Sequence, residues 1–128
     1  MIDFSKSPVF KLGKSSIENS IGAQDCQRNL LIGGEEILNV FSSSRDCVVF
    51  TNKRLIAVNV QGLTGSKKDY TSLPYNKIQT FSVETAGTFD RDAELEIWFS
   101  GLGKVKFEFS KGTDITEIAR IIAYYTIK

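Results

Sequence analysis

The stretch from Glu94 to Phe109 constrains the fold more than any other part of the chain. Leu95, Ile97 and Phe99 alternate with Glu94, Glu96 and Trp98, and Val105, Phe107 and Phe109 alternate with Lys104, Lys106 and Glu108. Successive side chains of a strand point to opposite faces, so a period of two puts each apolar trio on one side, the core side. Buried, those six side chains contribute roughly 1.5–3 kcal/mol apiece. The outer face sets Glu94 or Glu96 against Lys104 or Lys106, exposed cross-strand pairs of about a few tenths of a kcal/mol each. Gly101-Leu102-Gly103-Lys104 between the strands reads as a hairpin turn. It is too short for a phosphate loop, and no helix follows it.

Five further strands precede this hairpin: Ile37 to Ser43, Asp46 to Thr51, Arg54 to Val60, Lys67 to Leu73 and Ile78 to Thr85. Polar or glycine-containing breaks separate them, among them Ser43-Ser44-Arg45, Thr51-Asn52-Lys53, Gly62-Leu63-Thr64-Gly65 and Pro74-Tyr75-Asn76-Lys77. Seven short strands joined by tight turns predict a mainly β protein, an antiparallel sandwich or partly open barrel. With 128 residues, 41% of them hydrophobic, the chain is one ordinary domain able to build a core without staples. Cys47-Val48-Val49-Phe50 and Leu55-Ile56-Ala57-Val58 are apolar on both faces. Such strands need cover on both sides. One side is the barrel interior; the N-terminal segment, a helix or another subunit covers the other, so self-association and cover within the chain both stand open.

At the C-terminal end, Asp114 and Glu117 have the spacing of a helix N-cap and its third-position acid. Ile115, Ile118, Ala119, Ile122 and Tyr125 form one helical stripe over 114–126, suited to plugging an open end of the barrel. Residues 1–33 read as an arm with a short helical extension ahead of a domain spanning 34–128. Pro8 argues against helix near the start, and Phe4, Val9, Phe10 and Leu12 tack the arm onto the body. Residues 15–33 read as one weak helix or two short ones, with Ser15 and Glu18 at capping-box spacing and Gly33-Gly34 as the stop.

Several classes of chemistry are closed. The chain has no histidine, which removes imidazole bases, Ser-His-Asp and Cys-His sites, and histidine metal ligands. Asp90, Asp92, Glu94 and Glu96 read as a solvated strand surface rather than a hard-cation site. No enzyme activity, cofactor or metal is expected. Cys26 and Cys47 are too few for a disulfide scaffold. The net charge of +1 gives no polycationic surface, and Trp98 beside Glu94 and Glu96 would repel phosphate, so no nucleic-acid partner is expected. No run of 18 apolar residues offers a membrane-spanning helix, and the first residues do not resemble a signal peptide. The expected location is the cytoplasm, with attachment to a membrane surface as a variant.

The strand order with one C-terminal amphipathic helix resembles a pleckstrin-homology-like (PH-like) fold. Particular residues carry a closer match: Gly34-Glu35-Glu36-Ile37-Leu38, then Val49-Phe50-Thr51-Asn52-Lys53-Arg54-Leu55-Ile56, then Gln61 to Gly65 and Ser72-Leu73-Pro74-Tyr75 with Ile78. Phe81-Ser82-Val83-Glu84-Thr85-Ala86-Gly87-Thr88-Phe89-Asp90, Ala93-Glu94-Leu95 and Phe107 to Gly112 complete it. Over roughly residues 28–126 the chain is similar to the bacterial PH-like domain family. The resemblance implies a helix-capped barrel of seven strands and assembly into rings; it carries no catalytic residue. Lipid headgroup binding in eukaryotic relatives uses a basic loop between the first two strands. Here that loop offers Ser43, Ser44 and Arg45, a single positive charge that counts against phosphoinositide specificity.

The residues therefore point to a non-enzymatic, self-assembling interaction domain, with a peripheral adaptor on anionic lipid as the alternative. Arg45, Asp46, Lys53, Arg54 and Trp98 are the candidate interface residues, Asp69 adding a further charge near them. Mixed signs suit a head-to-tail contact, and an outward Trp is a common interface anchor. Glu84, Thr85, Gly87, Thr88, Phe89 and Asp90 form a candidate recognition loop for a peptide or protein ligand, or a structural corner. Lys67 and Lys68 are the candidate anion contact, weak and salt-sensitive, and stronger if Lys53-Arg54 lies beside them.

Overall fold

The computed structural model describes residues 2, 9–44, 46–61, 67–85, 93–110 and 112–127. Eight strands form one sheet: β1 (Val9–Ser15), β2 (Ile37–Ser42), β3 (Asp46–Thr51), β4 (Arg54–Gln61), β5 (Lys67–Pro74), β6 (Ile78–Glu84), β7 (Ala93–Phe99) and β8 (Gly103–Phe109). Helix α1 (Ile21–Asn29) lies between β1 and β2, and α2 (Ile115–Thr126) follows β8. The order across the sheet is β5-β4-β3-β2-β1-β8-β7-β6. Every neighbouring pair is antiparallel except β1 with β8, which run parallel.

The seven expected strands are present within a residue or two of their expected ends. The hairpin of β7 and β8 buries Leu95, Ile97, Val105, Phe107 and Phe109 completely and Phe99 nearly so. Gly101 and Gly103 turn it at φ +85° and +89°, a left-handed backbone that a β-carbon disfavours. On the outer face Lys106 reaches Glu94 at 3.0 Å and Lys104 reaches Glu96 at 3.1 Å. Both bridges are diagonal, because Glu96 lies directly opposite Lys106 and Trp98 opposite Lys104.

The eighth strand was not expected. Val9–Ser15 is neither an irregular arm nor the start of a helix: it joins the two halves of the sheet, paired with β2 on one side and β8 on the other. Its sequence, VFKLGKS, alternates poorly, and Leu12 is its one fully buried side chain among those described. The helix behind it is shorter than 15–33. Ser15 closes β1, and the cap is Ser20, whose Oγ accepts from the Ala23 amide at 3.2 Å. At the other end Asp114 caps α2 as expected, accepting from the Glu117 amide at 3.3 Å.

Two separate apolar clusters lie on opposite sides of the sheet. The main one joins inward residues of both halves, such as Phe41, Val48, Phe50, Leu55, Leu95, Ile97, Phe107 and Phe109, with Ile115, Ile118 and Ile122 of α2. Phe41 ties the halves together through edge-to-face contacts with Phe50 at 5.7 Å and Phe109 at 5.0 Å between ring centroids. The second cluster is on the outer face of β2, β3 and β4. Val40, Cys47, Val49, Ile56 and Val58 meet Ala23 and Cys26 of α1 there, flanked by Ile17, Leu30, Leu31, Ile37 and Tyr70. The two-sided strands are thus covered within the chain, and a neighbouring subunit is not needed to explain them. Phe107→Ala removes a wholly buried ring from the main cluster, and urea unfolding should show a loss of about 3–5 kcal/mol.

Candidate functional site

The face that carries α1 holds two polar clusters. Glu35, in the link from α1 to β2, is buried, its side chain wholly so. Its Oε2 accepts from Arg54 Nε at 2.9 Å and from the Thr51 hydroxyl at 2.6 Å, and its Oε1 from Arg54 Nη2 at 3.0 Å and the Ile32 amide at 3.1 Å. Arg54 Nη2 also donates to the Leu30 carbonyl at 2.7 Å, and Nη1 to Ser72 Oγ at 2.9 Å. The fork of one guanidinium therefore joins the end of α1, the start of β2, the β3–β4 turn and β5. Burial works against the Glu35 charge, but Arg54 and Thr51 outweigh it and hold its carboxyl below the ordinary glutamate value.

A second joint lies at the middle of α1. Asp25 accepts from Lys68 Nζ at 2.7 Å, Tyr70 Oη at 3.0 Å and Arg28 Nη2 at 3.1 Å. The Lys68 hydrogen bond is the main reason its carboxyl stays acidic, and burial is the main reason the Tyr70 phenol is pushed up to about 12. Gly22 lets the helix lie close to the sheet. A β-carbon there would stand 3.2 Å from Cys47 Cβ and 3.4 Å from Val58 Cγ1. Beside the helix start a groove of about 410 Å³ opens between Asn19–Gly22, Ser42–Ser44 and the facing Cys47, Val58, Val60 and Lys68.

The expected site residues fall in several places. Arg54 pairs with the buried Glu35 carboxylate, its side chain partly exposed. Asp46 accepts from Asn59 across the β3–β4 pair, and Lys53 is exposed at the turn. Trp98 is half-buried on the outer face of β7. Arg45 lies outside the described residues, as do Gly87, Thr88, Phe89 and Asp90; Glu84 and Thr85, where the recognition loop begins, are exposed. Lys67 and Lys68 are exposed at the start of β5. They do not meet the Lys53-Arg54 doublet, because Arg54 pairs with Pro74 and Gln61 with Lys67, at opposite ends of the β4–β5 ribbon. The Glu35–Arg54 clamp escaped the reading of the sequence. Both residues stand in the quoted family motifs, but nineteen positions apart, with no local spacing rule to join them.

Among the described residues no three metal-ligating side chains come together, and no helix is long and apolar enough to cross a membrane. A mixed eight-stranded sheet wrapped round a main core and closed by a C-terminal helix is the PH-like architecture, a binding fold rather than a catalytic one. The chain belongs to the bacterial PH domain family, whose profile matches residues 4–126. It is 44% identical over 114 residues to the Bacillus subtilis (strain 168) protein named uncharacterized protein YjqA, covering 88% of this chain and 91% of that one. Two solved structures share the fold at high coverage. A DUF1696 family protein with a pleckstrin-homology domain from Shewanella loihica PV-4 superposes with a TM-score of 0.78 at 39% identity, over 93% of this chain and all, 100%, of that one. A pleckstrin homology domain from Shewanella amazonensis SB2B gives 0.65 at 42% identity, over 87% of this chain and 91% of that one.

Removing one partner of a buried ion pair leaves the other charge uncompensated. Arg54→Ala should therefore cost about 3–5 kcal/mol in urea unfolding. The Glu35 carboxyl, held below its usual 4.5 in the folded chain, contributes stability above that pH and loses it as the pH falls through the lower folded value. Glu35→Gln should flatten the acid limb of the stability–pH curve.

Proposed function

We propose that the protein is a non-catalytic interaction domain that assembles head to tail with copies of itself into a ring. The observation that carries this reading is that the sheet ends in two unlike strands. β5 and β6 are outermost, and neither takes a second strand neighbour among the described residues. A strand edge is a template for pairing with another chain. Lys67 is exposed at the start of β5, and Glu84 is exposed at the end of β6. Antiparallel pairing of β5 on one copy with β6 on the next sets these opposite charges together. A contact between two different surfaces repeats around a ring when the rotation closes. Tyr124 and Ile127, 78% and 67% exposed at the end of α2, add apolar area on the outside of the molecule.

The anionic-membrane alternative has less to stand on. Lys68 is engaged by Asp25 and Arg54 by Glu35, which leaves Lys53 and Lys67 at opposite ends of the β4–β5 ribbon. At about 1 kcal/mol for each basic residue near a lipid surface, two separated lysines hold little. Vesicle pelleting at physiological salt should be equal for anionic and neutral lipid, and a strong excess with anionic lipid would favour the alternative.

Sedimentation at micromolar concentration should show a species several times the 14.3 kDa chain mass. Lys67→Glu or Glu84→Lys alone should shift it toward the single chain, and the two together should restore it. A single species at the chain mass for the unaltered protein would overturn the reading.

A further inference from the structure

We infer that residues 16–36 form a strap that lifts off the sheet as one unit, uncovering Cys26 and Cys47, while the rest of the barrel stays folded. The topology permits it. β1 and β2 are adjacent antiparallel strands with Ser15 opposite Val40, so the chain leaves the sheet and returns at neighbouring points. Lifting what lies between breaks no strand pairing. The packing permits it as well. The cluster beneath α1 is separate from the main one, and no residue of α1 belongs to the main cluster. Opening therefore costs the second cluster, to which the strap contributes the buried Ala23 and Cys26 and the partly buried Ile17, Leu30 and Leu31, and leaves the main cluster intact. A unit held by this smaller cluster alone opens at lower free energy than the whole domain, which must also give up the main core.

The remaining fastenings are polar. They are the Asp25 contacts to Lys68 and Tyr70, the Ser20–Cys47 contact at 3.2 Å and, at the strap's far end, the Arg54 and Thr51 bonds to Glu35 and the Asn52 bonds to Gly34 and Glu36. The groove of about 410 Å³ beside the helix start already reaches the edge of Cys47, and the strap would peel from there. Closed, both thiols are buried and inert. Burial pushes Cys26 up to about 12 and raises Cys47 as well. Open, both return to ordinary thiols, so their reactivity counts the fraction of open strap.

The test is labelling of the whole chain in native buffer with an aromatic disulfide reagent at fixed protein concentration. Cys26→Ala and Cys47→Ala, each leaving one thiol, should label at the same rate, because one opening exposes both. Labelling of Cys47 alone would mean that reagent enters through the groove, and would overturn the strap. Asp25→Asn should speed both thiols by about tenfold. Ile97→Val, confined to the main cluster, should lower global stability enough to raise the unfolded population by about 2- to 12-fold and leave the labelling rate unchanged. A labelling rate that rises with that population would show that the thiols are reached only by global unfolding, and would also overturn the proposal.

Discussion

The β3–β4 ribbon, apolar on both faces, is the constraint around which the molecule is arranged. Val48, Phe50, Leu55 and Ala57 face the main core, while Cys47, Val49, Ile56 and Val58 face away from it, and all eight are buried. A ribbon of this kind cannot be the wall of a simple barrel with water outside. The chain answers by sending α1 out between β1 and β2 and laying it across the outer face. The helix itself is polar and short, so polar contacts at Asp25 and Arg54 secure what its few apolar side chains begin.

Where local periodicity was strong, the fold was legible. The hairpin of β7 and β8 shows two clean alternations and a glycine turn, and α2 shows a helical stripe with its cap; both stand where that pattern places them. β1 was illegible because its place depends on parallel pairing with a strand almost a hundred residues away, and its own seven residues carry little alternation. Its interruption by Gly13 and its closing Ser15 imitate a helix start. The cap fell at Ser20 because Ser15 is committed to the ladder opposite Val40.

The candidate site was less legible than the fold, for a physical reason. Charges at turns look alike in sequence whether they face solvent, a partner or each other. In sequence Arg54 is one more turn charge, and only the fold shows that a carboxylate nineteen positions earlier accepts from its Nε and Nη2. Lys67 and Lys68 were a doublet in sequence, but one of them turns to Asp25 on α1. What remains outward is uneven: exposed Lys67 at one edge of the sheet, exposed Glu84 at the other, and aromatic and aliphatic side chains at the tip of α2. Segment 16–36 is tied to one of these edges, because Asp25 of α1 accepts from Lys68 and Tyr70 of β5.

Isotope-filtered nuclear Overhauser spectroscopy on an equimolar mixture of labelled and unlabelled chains addresses the cover of the β3–β4 ribbon directly. Gly22 lies against Val58 and Cys47. Cross-peaks between the Gly22 α-protons and the Val58 methyls should arise within single labelled chains and vanish from the filtered spectrum that selects contacts between labelled and unlabelled ones. Their appearance in that filtered spectrum would mean that another subunit supplies the cover, and would contradict the account.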